Sequence, residues 1–221
     1  MKLNLISKLH NSTKRNYLSR MINNKVFCMK EAKKYGKNYW DGDRKYGYGG
    51  FKYIRGLNDK IVNALIKKYS LIGKKKILDI GCGKAFLLND LFIKNQDLDI
   101  FGIDISNYAK KFSKIPNKKN FYIKDLERNK KLPFKNKFFD LVISSGSLHN
   151  LSLKSLIINL KEIDRVSKKS IIMIESYRNE KELFNLQCWA LTCKSFLSVK
   201  DWKYLINEYS PKSDLEFIFF K

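Results

Sequence analysis

Three aspartates in this chain each stand at the end of a short apolar run. They are Asp79 after Lys76-Ile77-Leu78, Asp104 after Phe101-Gly102-Ile103, and Asp125 after Phe121-Tyr122-Ile123-Lys124. Acids so placed accept hydrogen bonds from hydroxyls and amines. In βαβ units an acid about 20 residues past a glycine turn holds both hydroxyls of a ribose. Such a turn is present, because Gly81-Cys82-Gly83-Lys84-Ala85 follows the first run directly. Glycines at 81 and 83 let the backbone approach a ligand closely. A phosphate-cradling P-loop is excluded, since Leu78 stands where its first glycine belongs and Ala85 follows Lys84. The dinucleotide fingerprint wants a third glycine at 86, which is Phe86.

What remains resembles motif I of class I S-adenosylmethionine (SAM) dependent methyltransferases, with Ala85 at the last glycine of the pattern. Alanine is a mild departure, small enough to keep the turn tight. Asp104 follows Asp79 by roughly 25 residues, the distance a βαβ unit needs. Phe138-Phe139-Asp140-Leu141-Val142-Ile143-Ser144-Ser145 looks like the family's fourth strand, and Ser170 to Glu175 like its fifth. The resemblance implies an α/β, Rossmann-like class I methyltransferase fold: a mostly parallel twisted sheet of six or seven strands with helices on both faces. It implies S-adenosyl-L-methionine as cofactor and assigns roles position by position. Asp79 fixes the turn and reaches the methionine amino group, while Gly81 and Gly83 let the backbone pass the methionine moiety. Asp104 takes the ribose diol and Ile105 packs on the adenine. Asp125 and the Leu126 amide read the adenine edge, and Ser144 offers it a backbone carbonyl. For each acid the competing role is a helix N-cap.

Acceptor-side residues carry less signal. His149 follows the fourth strand, where many small-molecule methyltransferases carry a His-His pair; Asn150 fills the second position. Histidine suits general-base work near neutral pH, and equally suits packing beneath the cofactor with a bond to a backbone carbonyl. Glu175 and Arg178 flank the end of the fifth strand, the first to orient an acceptor and the second to hold a carboxylate or phosphate bidentately; a surface ion pair is the alternative. The segment Tyr39 to Tyr53 mixes aromatics, charges and glycines. It reads either as a lid with Trp40, Arg44, Tyr46 and Tyr48 facing the substrate, or as an Asp-Gly turn with surface aromatics.

These residues need a scaffold, and the composition supplies one. At 221 residues, 44% hydrophobic and 30% charged, the chain is expected to form one globular domain with a substantial core. Residues 1–57 read as an N-terminal helical cap and active-site lid, with a helix started by Ser12/Thr13 and carrying Tyr17, Leu18 and Met21. Residues 58–221 read as the SAM-binding core, with C-terminal helices and the last strand in 177–221. The family plan puts two strands after the fifth, the last inserted antiparallel. Here only Asp214 to Phe220 is available, so six strands are expected, with a stub at Phe196-Leu197-Ser198 as the alternative. No apolar run is long enough to span a bilayer, and Met1 to Arg20 lacks a secretory apolar core. Cys28, Cys82, Cys188 and Cys193 show neither zinc nor disulfide spacing. Neither a metal nor a membrane partner is expected, and the cytoplasm is the expected compartment.

The formal net charge is +24. Only seven of the basic residues are Arg; the rest are Lys scattered among Asn and Ile, which share AT-rich codons. Proteins that grip nucleic acid concentrate charge on one face, often with Arg. Codon bias therefore explains the balance better than a nucleic-acid partner, although non-specific, salt-sensitive polyanion binding follows in either case. The fourth-strand loop Ser144-Ser145-Gly146-Ser147 lacks the Asn/Asp-Pro-Pro-aromatic motif of base-amine methyltransferases, and no Cys stands there for pyrimidine C5 chemistry. The expected function is SAM-dependent methyl transfer (EC 2.1.1.-) to a small polar metabolite, anionic or sugar-like. RNA methylation and a non-catalytic SAM-binding partner protein stand as alternatives.

Overall fold

The computed structural model describes residues 15–128 and 130–221. Six strands form one sheet: β1 (Lys76–Ile80), β2 (Asp99–Asp104), β3 (Phe121–Ile123), β4 (Phe139–Ser145), β5 (Ser167–Ser176) and β6 (Ser213–Phe219). Their order is β3-β2-β1-β4-β5-β6, and every neighbouring pair is parallel. The order reverses between β1 and β4, which opens a crevice at the carboxyl ends of those strands. Six strands match the expectation from sequence. The departure from the family plan is that β6 lies directly against β5, in parallel register from Ser170↔Ser213 to Ser176↔Phe219. Phe196-Leu197-Ser198 contributes only an isolated bridge between Ser198 and Tyr177.

Strand residues alternate between two cores, as period-2 side-chain geometry requires. Leu78, Ile80, Ile103, Val142, Ile172 and Ile174 face one core. Helices α7 (Leu153–Val166) and α9 (Val199–Tyr209) cover it through Leu160, Ile163, Trp202 and Leu205. Ile77, Ile100, Leu141, Ile143, Ile171 and Met173 face the other. Helices α4 (Asp59–Tyr69) and α5 (Phe86–Lys94) cover that side through Ile61, Val62, Leu65, Leu88 and Leu91. A sheet buried on both faces explains why the strands read as near-continuous apolar runs. Among the described residues no helix is long and apolar enough to cross a membrane.

The N-terminal segment is three short helices, α1 (Tyr17–Ile22), α2 (Lys25–Ala32) and α3 (Lys37–Asp41). The Ser12/Thr13 cap lies outside the described residues; the described helix start is Asn16, whose side chain accepts from the Ser19 amide at 2.9 Å. Helix α1 packs on α8 (Glu180–Trp189), after which Ala190 is extended. Arg20 Nε donates to the Trp189 carbonyl, and Lys25 Nζ to the carbonyls of Gln187 and Cys188. These cations satisfy carbonyls that have no intrahelical partner at a helix C-terminus. Helices α1 and α2 are thereby tied to the end of α8 beside the crevice.

Candidate active site

The glycine turn is built by alternating backbone hands. Gly81 (φ 78°), Gly83 (φ 53°) and Ala85 (φ 57°) are left-handed, and at Ala85 that conformation costs about 1–2 kcal/mol. Gly81 admits no side chain: a Cβ would come within 2.2 Å of the Ser147 Cβ. Amides 81 and 82 both donate to the Ile103 carbonyl. Asp104 completes the turn, its Oδ2 accepting from the Gly83 amide and its Oδ1 from the Ser106 amide, each at 2.8 Å.

Asp79, one strand over, is nearly sealed, and its Oδ1 has no hydrogen-bond partner among the described residues. Burial first, then repulsion from Asp104, pushes its carboxyl up to about 7. Burial likewise raises Asp104, while its backbone hydrogen bonds pull in the opposite direction. A buried carboxylate without a partner is costly, and a cofactor ammonium group would supply the missing charge and donors. The residues present therefore fit S-adenosylmethionine.

Three adjoining cavities occupy the crevice. The first, of about 310 Å³, is lined by Asp104, Ile105, Asp125, Leu126, Gly81 and Gly146 among others. Ile105 keeps 39% of its surface accessible, an apolar wall suited to a flat base. The second, of about 280 Å³, reaches Asp79, Gly83 and Trp40. The third, of about 190 Å³, holds His149, Glu175, Arg20, Arg44 and Trp189. Tyr48 lines all three and keeps 40% of its surface accessible. Its hydroxyl is pushed up to about 12, by burial and then by Glu175.

In the third cavity His149 Nε2 lies 3.4 Å from Glu175 Oε2. His149 sits in the turn after β4, with its carbonyl accepting from the amides of Lys194 and Ser195. Its Nδ1 is buried and has no partner among the described residues. An imidazolium formed at His149 would have the Glu175 carboxylate as its counter-charge, which suits a residue that takes up a proton.

The segment 39–53 folds onto the glycine turn. Trp40 is buried, donates from Nε1 to Ser106 Oγ at 2.9 Å and stacks on Tyr48 at 5.2 Å. Lys84 is the anchor: 4% exposed, its Nζ lies 2.7 Å from both Asp41 carboxylate oxygens and from the Phe51 carbonyl. Nothing in the sequence pattern separates this lysine from its solvated neighbours.

Several expected residues are placed differently. Arg178 lines none of the three cavities; it is half exposed, ion-paired with Glu182 one helical turn on, and lies over the Phe219 ring. Ser144 lies inside β4, paired with Ile80 and Ile172, so Ser145, Gly146 and Ser147 are the residues that face the first cavity. Tyr46 packs with Cys28, Ala32 and Leu191 instead of facing a cavity. Asp125 lines the first cavity while its Oδ1 accepts from the Glu127 amide and its Oδ2 lies 3.4 Å from Arg128. Arg15, Arg20, Tyr39 and Thr192 join the third cavity without having been singled out by sequence. Their one available signal is that Arg is scarce in a chain so rich in Lys.

Residues 73–210 match the model of a family described as Methyltransferase domain. The search of curated proteins gives no match. Among solved structures, a SAM-dependent methyltransferase from Archaeoglobus fulgidus is 22% identical, with 68% of each chain covered and a TM-score of 0.54. A protein from an antibiotic biosynthesis pathway of Anabaena variabilis is also 22% identical, over 69% of this chain and 61% of its own, with a TM-score of 0.54. The YcgJ protein of Bacillus subtilis is 16% identical, over 67% and 66%, at 0.53. The present chain thus spans somewhat under two thirds of the Anabaena protein's length. The chain belongs to the methyltransferase domain family, with the class I SAM-dependent fold and S-adenosyl-L-methionine as cofactor.

Proposed function

We propose that this protein transfers a methyl group from S-adenosylmethionine to a small polar metabolite bound in the third cavity, beside His149 and Glu175. The observation that carries the reading is continuity. The cavity holding the His149–Glu175 pair shares Tyr39, Tyr48, Gly146, Asn150 and Thr192 with the cavity of the strand-end acids. When bound, the cofactor supplies an electrophilic methyl on a sulfonium. The chain's task is to align an acceptor, exclude water and receive a proton.

Asp104, Ile105, Asp125 and Leu126 would hold the adenosine, and Asp79, Gly81 and Gly83 the methionine end. His149 takes the acceptor's proton, and the Glu175 carboxylate, 3.4 Å from its Nε2, stabilises the resulting imidazolium. Residues 15–57 act as cap and lid over the core that begins at residue 58, with Trp40 and Tyr48 as a dry wall. Acceptor size favours a metabolite, because about 190 Å³ admits a few carbons with their substituents and falls short of the roughly 300 Å³ at which drug-sized ligand sites begin.

Turnover of labelled SAM over a metabolite panel, against an RNA pool at two salt concentrations, tests the assignment. Methylation confined to metabolites is expected, with RNA binding that fades steeply towards physiological salt. Salt-resistant, sequence-selective RNA methylation would replace the metabolite reading. Tight SAM binding without any turnover would favour a non-catalytic partner protein.

A further inference from the structure

The third cavity is lined by three arginines and one acid. The guanidinium of Arg20 lies 4.3 Å from the Trp189 ring centroid, that of Arg44 at 5.2 Å and that of Arg15 at 5.3 Å. Three cations around one indole repel one another, while each is drawn to the face of the ring. The other contacts of two of them are to neutral groups. Arg20 donates to the carbonyls of Trp189 and Arg44, at 3.1 and 2.6 Å. Arg44 donates to those of Gly47 and Tyr48, at 3.5 and 2.5 Å. Carbonyls aim a guanidinium without neutralising it. Burial, then the nearby Arg44, holds Arg20 down at about 10.

The acid lining this cavity is Glu175, which also faces His149. Three guanidinium groups against one carboxylate leave the lining two charges positive. Residues 1–14 contain neither Asp nor Glu that could make up the difference. Three arginines elsewhere do have acid partners: Arg128 with Asp125, Arg165 with Glu162, and Arg178 with Glu182. Like charges clustered where Arg15 and Arg20 are partly withdrawn from solvent favour the binding of an anion that carries the counter-charge.

We propose that Arg15, Arg20 and Arg44 form a subsite for a compact dianionic group on the methyl acceptor, either a phosphate monoester or a pair of carboxylates. This rests on the metabolite reading above and narrows its acceptor class. The guanidinium fork matches either oxyanion bidentately. The subsite shares its cavity with His149, so an acceptor held by its dianionic end brings a neighbouring hydroxyl or amine within the reach of the base.

The test is titration of the protein with inorganic phosphate and, separately, with malonate. Both are run with S-adenosylhomocysteine present and at physiological chloride. Saturable one-site binding of either anion is expected, weakened at least tenfold in Arg20→Gln and Arg15→Gln and unchanged in Lys74→Gln, an exposed surface control. Preference for phosphate identifies a phosphoryl acceptor, and preference for malonate a dicarboxylate. Because Arg20 also braces Trp189, Arg20→Lys serves as a second variant: it keeps the charge and loses the fork, so intermediate affinity is expected. No saturable site, or equal affinity in wild type and both Gln variants, overturns the subsite. S-adenosylhomocysteine affinity, measured alone, reports separately on the methyltransferase reading.

Discussion

His149 Nε2 faces Glu175 Oε2 across 3.4 Å, joining the turn after β4 to the penultimate residue of β5. Neighbouring parallel strands thus deliver an imidazole and a carboxylate from positions 26 residues apart to one cavity wall. If the pair handles the acceptor's proton, His149→Ala lowers kcat by about 10²–10⁴ and Glu175→Gln lowers it less, with cofactor affinity intact in both. Steady-state kinetics paired with calorimetry checks this. A parallel loss of cofactor affinity and rate in His149→Ala would make the ring a support for the cofactor.

Asp104 does two jobs, and its variants should separate them. Its oxygens hold the Gly83 and Ser106 amides, so Asp104→Ala destabilises the turn as well as removing a candidate ribose contact. Charge-assisted hydrogen bonds run about 1.5–3 kcal/mol, so cofactor affinity should fall about ten- to hundredfold, together with a lowered Tm. A variant that melts lower yet binds the cofactor normally would leave Asp104 a purely structural role.

Asp79 predicts a trade between stability and binding. With its carboxyl raised from 3.8 to about 7, the folded state holds a proton that the unfolded state has released. The cofactor-free protein therefore loses stability as pH rises from about 4 to about 7, and the whole penalty is present above that. Asp79→Asn should melt higher than wild type by about 4 °C or more at pH 8 and hardly differently at pH 4. It should also bind the cofactor at least tenfold more weakly. Equal melting of the two proteins at pH 8 would show that the buried acid carries no such cost.

The Lys84–Asp41 contact is the latch of the cap. Lys84→Met keeps the stem and strands the Asp41 carboxylate and Phe51 carbonyl without their cation. The expected loss is about 3 kcal/mol, the low end for a broken buried pair because Asp41 is partly exposed. Hydrogen exchange over residues 37–53 should quicken in this variant. In the wild type, S-adenosylhomocysteine should slow it; exchange indifferent to ligand would reduce the segment to a surface loop.

The sequence carried the scaffold further than the acceptor pocket, and the reasons are local. Near-continuous burial along β1, β2, β4 and β5 follows directly from apolar runs with acids at their ends, and the left-handed turn from its glycines. The exact residue at which β4 ends is set by pairing to β1 and β5, which explains why the cavity begins at Ser145 and not at Ser144. Arg178 could have been read correctly, since Glu182 stands at i+4 on a helix start, where opposite charges pair. The convergence of Arg20 with Trp189 could not, because 169 residues separate them and only the packing of α1 on α8 joins them. Nor does any local pattern mark Lys84 as the buried lysine.

Tyr48 borders the first two cavities and the arginine cavity alike, so a donor and an acceptor bound as proposed would share one wall. Whatever factor the cofactor adds to acceptor affinity by settling this ring, the acceptor must return to cofactor affinity, since coupling between two sites is reciprocal. A dissociation constant measured for either ligand alone then describes half of a linked equilibrium. Tyr48→Phe, which keeps the ring and drops its hydroxyl, would leave most of that linkage in place, whereas Tyr48→Ala would let the two ligands bind independently.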